Sequence, residues 1–416
     1  MNKQVESSLP NFGKKTIFTG DNLPIMRGMN SNCIDLIYLD PPFNSKANYA
    51  APIGSKAAGA EFKDTWSLSD VDVAWLDLLE AKHPALNRVI HAAITNSDKS
   101  YLIYMAVRLL EMKRILKSTG SIYLHCDPTM SHYLKLVMDA IFGRKSFRNE
   151  IVWRYKKYQK AEMRYFTRNS DRLLFYAMEE AGFSPVLEKL KKPKRFLKRV
   201  WDKETKRIVN AKDSDGKVQY MTVNEEKIDD VWSLPYLMPA SKERLGYPTQ
   251  KPSKLLEYVI RASSSPGDIV LDPFCGCATT LVAADRLQRN WVGIDISPKA
   301  AELVTIRIKQ DQGLFQEIVA RKDIPERTDV IQLKPYNSTD NKKFLYGEQE
   351  GHCKGCGTHF EMRNLTIDHI IARSVGGTDH LDNLQLLCGN CNSIKGNRGQ
   401  EYLLAKIEGR KVAYAG

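Results

Sequence analysis

Asp40-Pro41-Pro42-Phe43 stands directly behind an apolar run ending at Leu39, so a carboxylate, a carbonyl on a stiff turn and an aromatic ring meet at one strand end. Two adjacent prolines fix φ and hold such a loop in place. The set suits work on an aryl amine such as N6 of adenine, a poor nucleophile because its lone pair is conjugated with the ring. Asp40 and the Pro41 carbonyl can accept the two amine hydrogens and turn the lone pair toward a methyl donor. Asp40 can also take the surplus proton, directly or through water. Phe43 offers a stacking face for a base swung out of a duplex. Taken alone, these four residues are better read as a plain Asp-Pro turn after a strand.

A second pattern weighs against the plain turn. Asp272-Pro273-Phe274-Cys275-Gly276-Cys277-Ala278-Thr279-Thr280 follows another apolar run and opens a helix, and Asp295 ends the next run. A loop of this kind lets backbone approach a cofactor closely, and an acidic residue at the following strand end suits two ribose hydroxyls.

The third pattern is Cys353-x2-Cys356 with Cys388-x2-Cys391. In a chain that opens without a secretory signal, two such pairs predict four thiolates on one tetrahedral Zn²⁺ rather than disulfides. So short a unit buries little core, and the zinc would supply much of its folding energy. Cys33, Cys126, Cys275 and Cys277 lie in or beside apolar runs and are expected to be core residues.

These groups need elements to position them. Apolar runs at 34–40, 121–127, 150–155, 268–274 and 291–297 read as buried strands. Helical patterns fall at 100–117, closed by Thr119-Gly120, and at 129–142, 254–263, 279–288 and 298–311. Strands alternating with helices predict a largely parallel, doubly wound α/β sheet. The alternation breaks between Lys156 and Gly246, where charge rises, and a polar stretch after Gly313 has the look of a linker.

Composition narrows the partner. The 416 residues imply two or three domains. The formal charge of +13 fits a polyanion, and the segment from Arg154 to Lys212 holds 18 Lys/Arg against 7 Asp/Glu. Aromatic residues interleaved there favour nucleic acid over a solvated lysine face. No apolar stretch is long enough to span a bilayer, so a cytoplasmic protein is expected.

From Gly20 to about Asp311 the sequence resembles the S-adenosylmethionine-dependent amino-methyltransferases of DNA, in the beta-class order that puts the DPPY/F element before DPF-x-G. The resemblance implies a permuted Rossmann-like methyltransferase fold over 14–155 and 247–312, with an inserted basic target-recognition domain at 156–246. It assigns catalysis to Asp40, Pro41, Pro42 and Phe43. Cofactor contacts fall to Asp21 of Gly20-Asp21-Asn22, Thr249 and Lys251 of Pro248-Thr249-Gln250-Lys251-Pro252, Asp272, Phe274, Gly276, Thr279, Thr280 and Asp295. Many relatives carry a second glycine where Ala278 stands, and alanine fits there if the backbone is not left-handed. Asp at the head of the Pro-Pro element leans toward adenine N6 over cytosine N4.

DNA contacts are expected from Lys191, Lys192, Lys194, Arg195, Lys198 and Arg199. Trp153 and Tyr155 either sandwich the flipped base opposite Phe43 or belong to the core. Asp64 and Trp66 resemble a pocket-lining segment, core being the plainer reading for Trp66, and His125 reads as a satisfied histidine near a sheet edge.

After a linker at 313–345, the order Asp368-His369, Asn383, Asn392 among the cysteines resembles the four-cysteine HNH nucleases, a zinc-stapled ββα domain over 346–400 followed by a tail at 401–416. The resemblance makes His369 the base that deprotonates water and Asn383 the residue that orients it. Asp368 and Asn392 would hold a divalent cation, Mg²⁺ or Mn²⁺ suiting oxygen ligands. The competing expectation is a lone methyltransferase whose zinc unit only binds DNA. Double-stranded DNA is the expected partner; oligomeric state stays open, a homodimer included.

Overall fold

A computed structural model describes residues 9–45, 47–50, 55, 61–64, 83–156, 164, 166–238, 240–241, 243–247, 249–312, 318–329, 335–375 and 377–414. β1 (Thr16–Thr19), α1 (Asn22–Gly28) and β2 (Ile34–Leu39) lead to a small hairpin of β3 (Ala47–Ala50) and β4 (Glu61–Asp64). Next come α2 (Pro84–His91), α3 (Asn96–Ile115), β5 (Leu116–Cys126), α4 (Ser131–Phe142), β6 (Phe147–Arg154) and β7 (Ser170–Ala177). An excursion follows through β8 (Leu187–Leu197), β9 (Arg199–Asp202), β10 (Arg207–Asn210) and β11 (Tyr220–Lys227). The chain returns through β12 (Val231–Ser233), α5 (Ser253–Ser263), β13 (Ile269–Asp272), α6 (Thr279–Arg286), β14 (Asn290–Asp295), α7 (Pro298–Gln312) and β15 (Val319–Arg321). The C-terminal unit holds α8 (Thr339–Glu348), β16 (Leu365–His369), β17 (Leu384–Cys388), α9 (Gly389–Lys395) and α10 (Gln400–Tyr414).

Among the described residues, nine strands form one sheet in the order β12-β6-β7-β5-β2-β13-β14-β1-β15. Its neighbours run parallel except where β7 meets β5 and β6. Both faces are covered, which explains the unbroken apolar runs. Ile34, Ile37 and Leu39 of β2 pack with α1 to α4, while Leu36 and Tyr38 pack on the other face with α5 to α7. The doubly wound α/β fold read from the sequence is the fold observed.

Several boundaries differ from the sequence reading. Thr119-Gly120 is not a helix stop: α3 ends at Ile115 and both residues lie inside β5. Gly120 serves close approach instead, since a Cβ there would fall 2.6 Å from the Leu116 side chain and 3.0 Å from the Asp35 carbonyl oxygen. The segment 156–246 is not wholly an insert, because β7 and β12 belong to the main sheet. The buried Leu173-Leu174-Phe175-Tyr176 run of β7 fills the space between β5 and β6. Only β8 to β11 pair among themselves, β8 with β11 and β9 with β10.

The expected linker at 313–345 is likewise largely structured. β15 is the ninth strand, and residues 324–329 are fastened to the body beneath it. The Thr328 amide donates to Asn30 Oδ1 at 2.8 Å, Asn30 Nδ2 to Thr328 Oγ1 at 2.7 Å, and the Ser31 amide to Asp329 Oδ2 at 2.7 Å. Polar composition here supplies hydrogen bonds rather than solvation. The expected tail is helix α10, whose Leu403 is buried in the C-terminal core with Leu345, Leu365, Leu384, Leu386 and Leu387. Among the described residues no helix is long and apolar enough to cross a membrane.

Candidate active sites

Asp40 follows the carboxyl end of β2, beside the ends of β13 and β5, the edge where open α/β sheets bind ligands. Its Oδ2 accepts from the Lys251 ammonium, which is buried and lies 5.3 Å from the Phe43 ring centroid. Asp40 Oδ1 is buried and makes no hydrogen bond among the described residues. Pro41 is buried, and Pro42 and Phe43 are half-buried beside it. Sequence reading gave Lys251 to the cofactor; its ammonium instead meets Asp40 and the Thr249 carbonyl, the latter at 3.2 Å.

The second loop lies next to this one. The Phe274 amide donates to Asp272 Oδ1 at 3.1 Å, and the Gly276 and Ser297 amides donate to Asp295 at 2.8 and 2.9 Å. Burial pushes the Asp272 carboxyl up to about 7 and raises Asp295 as well. Gly276 has φ +47°, and a Cβ there would come within 2.9 Å of the Tyr247 ring. Ala278 does adopt the left-handed conformation, φ 68° and ψ 25°, at the start of α6, contrary to the condition on which alanine was expected to fit. Thr249 (φ 61°) and Asn44 (φ 58°) are strained in the same sense. Thr279 and Thr280 are buried and Phe274 half-buried.

Asp21 caps α1 and accepts from Arg108 at 2.8 Å, while Arg108 Nε donates to Asn22 Oδ1 at 2.7 Å. Asn22 Nδ2 then donates to the Pro273 carbonyl at 2.7 Å, tying the Gly20-Asp21-Asn22 turn to the 272–280 loop. The Arg108 guanidinium lies 3.4 Å over the Tyr104 ring centroid, and Tyr104 neighbours Phe274. A glycine-backed cradle walled by Asp21, Asp272 and Asp295 fits a cationic, ribose-bearing cofactor.

Sequence reading missed Arg108, Tyr104, Asp171 and the setting of His125. His125 is fully buried, with Tyr38 Oη 2.8 Å from Nδ1 and Asp171 Oδ2 3.5 Å from Nε2. An arginine and a histidine inside apolar runs were the available signals. Trp153 and Tyr155 belong to the core: Trp153 is 4% exposed, its Nε1 donates to the Leu234 carbonyl at 3.0 Å, and Tyr155 packs on it. Lys192, Lys194, Arg195, Lys198 and Arg199 are exposed on β8, β9 and the residue between, though Lys194 pairs with Glu226 at 2.5 Å and Arg195 lies over Tyr220. The Lys191 and Asp64 side chains, Trp66 and Pro248 lie outside the described residues.

In the C-terminal unit, Cys353, Cys356, Cys388 and Cys391 bring their sulfurs within 4.8 Å of one another. Gly355 makes room, since a Cβ would sit 2.8 Å from Cys391 Sγ, and the Cys388 amide donates to Cys353 Sγ at 3.2 Å. Four sulfurs so placed suit one tetrahedral ion. His369 ends β16 with Nε2 2.8 Å from Asp379 Oδ1. Arg373 grips Asp379 and holds that carboxyl below the usual carboxylate range, with help from His369.

The expected role of Asn383 does not survive this geometry. Its amide accepts from Ile371 N at 2.9 Å and donates to the Ile371 and Thr378 carbonyls at 3.0 and 2.8 Å, so it shapes the loop after His369 rather than meeting the imidazole. Asp379, unassigned from sequence, meets the ring instead. Asp368 Oδ2 accepts from the fully buried Lys395 at 2.9 Å and from Gln385 at 3.0 Å, while Asn392 donates to Thr366 Oγ1 at 3.2 Å.

Two family models match the chain, one over each region. The family model described as DNA methylase matches residues 34–306, most of the chain, and the protein belongs to that family. The model described as HNH endonuclease matches residues 353–398. Among similar proteins are the type II methyltransferase M.EcaI of Enterobacter cloacae, 29% identical over 51% of this chain and 58% of its own length, and M.HpaI of Haemophilus parainfluenzae, 25% identical over 71% and 74%. The DNA adenine methyltransferase YhdJ of Escherichia coli is 27% identical over 68% of this chain and 79% of its own. The chain thus spans under two thirds of M.EcaI and about three quarters of the other two.

Proposed function

We propose that the chain methylates N6 of adenine in double-stranded DNA from S-adenosylmethionine, within a restriction-modification or related defence system. The observation that carries this is Asp40, one oxygen fixed by Lys251 and the other unbonded, at the sheet edge next to the Gly276 cradle. When bound, S-adenosylmethionine supplies a sulfonium methyl group open to attack by nitrogen. Asp40 Oδ1 and the Pro41 carbonyl accept the amine hydrogens, and Lys251 keeps the carboxylate aimed. Phe43 stacks on the base, Gly276 admits the cofactor backbone-close, and Asp295 meets its ribose. The named activity of YhdJ on adenine supports N6 over cytosine N4. Nucleoside mass spectrometry of DNA incubated with protein and cofactor tests this: N6-methyladenine is expected, N4-methylcytosine would shift the target, and neither would sink the reading.

For the C-terminal unit we propose a Zn²⁺ held by the four cysteines and Mg²⁺- or Mn²⁺-dependent DNA cleavage with His369 as base. Asp379 on Nε2 leaves Nδ1 to take a proton from water. A second reading has its own support: the Lys395 ammonium occupies Asp368, one of the two expected cation ligands, which favours a unit that binds DNA without cutting it. Incubating methylated and unmethylated copies of one DNA with each metal separates the two. His369→Ala should abolish any cleavage and spare methylation. No cutting of either DNA leaves the binding unit.

A further inference from the structure

His125 has no part in the reaction as described, yet it is completely buried with a carboxylate facing each ring nitrogen. Asp40 Oδ1 lies 3.8 Å from Nδ1 and Asp171 Oδ2 lies 3.5 Å from Nε2. The three residues belong to β5, the end of β2 and β7, and the order β7-β5-β2 sets them in a row across the sheet. The Tyr38 hydroxyl meets Nδ1, and the Tyr155 hydroxyl donates to Asp171 Oδ1 at 3.0 Å. Phe43 and Trp153 flank the imidazole at 5.8 and 5.7 Å between centroids. A histidine serving packing alone would have both nitrogens satisfied. Here Asp40 Oδ1 and His125 Nε2 are both buried without a hydrogen bond among the described residues.

Resting on the methyltransferase reading, we propose that His125 and Asp171 form a relay that carries the proton released by methyl transfer away from Asp40. As the amine nitrogen bonds the methyl carbon, the carbon–sulfur bond breaks with its electron pair kept by sulfur, and a nitrogen-bound proton passes to Asp40 Oδ1. That proton moves to His125 Nδ1 as the Tyr38 hydroxyl swings aside, while the hydrogen on Nε2 moves to Asp171 Oδ2. The products are a methylated amine, a thioether, and one proton on Asp171. The Asp171 side chain is 15% exposed and hands the proton to water. Burial pushes its carboxyl up, but the adjoining His125, the Lys251 charge and the Tyr155 hydroxyl that donates to it bring it below the usual range, so the proton does not stay. His125 and Asp171 act through Asp40 and are positioning residues.

The titratable groups around the imidazole are Tyr38 and Asp40 after or on β2, Tyr155 beyond β6, Asp171 on β7 and Lys251, which pairs with Asp40. Single-turnover methylation at saturating DNA and cofactor, followed across neutral pH, tests the relay with Asp171→Asn and His125→Gln. Both variants should lose about tenfold to a hundredfold in rate, with cofactor and DNA affinities within about twofold of the parent. The deficit should narrow as pH rises and solvent takes over as base, and Asp171→Glu should recover part of it. Rates within about threefold of the parent across that range, or a loss matched by equal losses of affinity, would overturn the relay. Should His125→Gln not fold, Asp171→Asn at the rim decides alone. A parent that forms no methylated base removes the methyltransferase reading, and the relay with it, a result distinct from an active parent with active variants.

Discussion

Asp40 and His369 are held by opposite means. The groups around Asp40 come from far along the chain: Lys251 is 211 residues away, and the Tyr38–His125 contact joins positions 87 apart. His369 meets Asp379 only 10 residues on, and Arg373 lies between them. Cores differ in the same way. Two extensive hydrophobic clusters clamp the sheet, whereas among the described residues the C-terminal unit has nine buried core residues, three of them cysteines. Packing fixes the first site; the proposed zinc would have to fix the second.

The largest effect that would break this contrast is expected from stripping the proposed zinc or from Cys388→Ser. Structural zinc sites carry roughly 10–16 kcal/mol of apparent binding energy, so the C-terminal unit should unfold while methylation persists. Protease resistance of residues 353–398, read beside methyl transfer, checks both halves. A unit still resistant after chelation would show that its leucines suffice.

Next, Asp40→Ala should lower methyl transfer by about 10²–10⁴-fold. Cofactor affinity should change by less than about tenfold, or 1.4 kcal/mol, in calorimetric titration. A greater loss would move Asp40 to the cofactor side. Because the substitution strands the buried Lys251, Asp40→Asn is the gentler partner experiment.

Neutralising the basic ribbon should weaken DNA binding more modestly, each lost phosphate contact lowering the log–log salt slope by about 0.9. Lys192 and Arg199 should count for more than Lys194, already paired with Glu226. An unchanged slope would put the DNA path elsewhere. The smallest expected change is a gain: Ala278→Gly relieves a left-handed alanine and should stabilise the sheet domain by up to about 1 kcal/mol. Thermal unfolding would show a rise of roughly 2–4 °C, and a fall would mean that the methyl packs well enough to offset the strain.

What was legible in the sequence follows from range and periodicity. Strand runs such as Ile34–Leu39 and the two cysteine pairs are local patterns, and they placed the sheet and the sulfur cluster. β7 was hidden inside a basic segment because charge was read as an average while the run from Leu173 was apolar. Polar residues at 324–329 looked like linker because composition cannot say that Asn30 and Ser31 await them. His125, Asp171 and Lys251 were unreadable as a set, since only strand order makes them neighbours. Asp379 was within reach: an acidic residue shortly after a candidate base is a local signal passed over.

The β8–β11 ribbon leaves Phe196, Leu197, Tyr220 and Met221 about half exposed, and Trp201 and Ile208 on the neighbouring β9–β10 pair are more exposed still. Two-stranded ribbons without a covered face are marginal in water. Their backbone amides should therefore open on their own, without waiting for the nine-stranded sheet. In hydrogen–deuterium exchange the molecule would therefore report two clocks, a fast one over residues 187–227 and a slow one set by β2, β5 and β13.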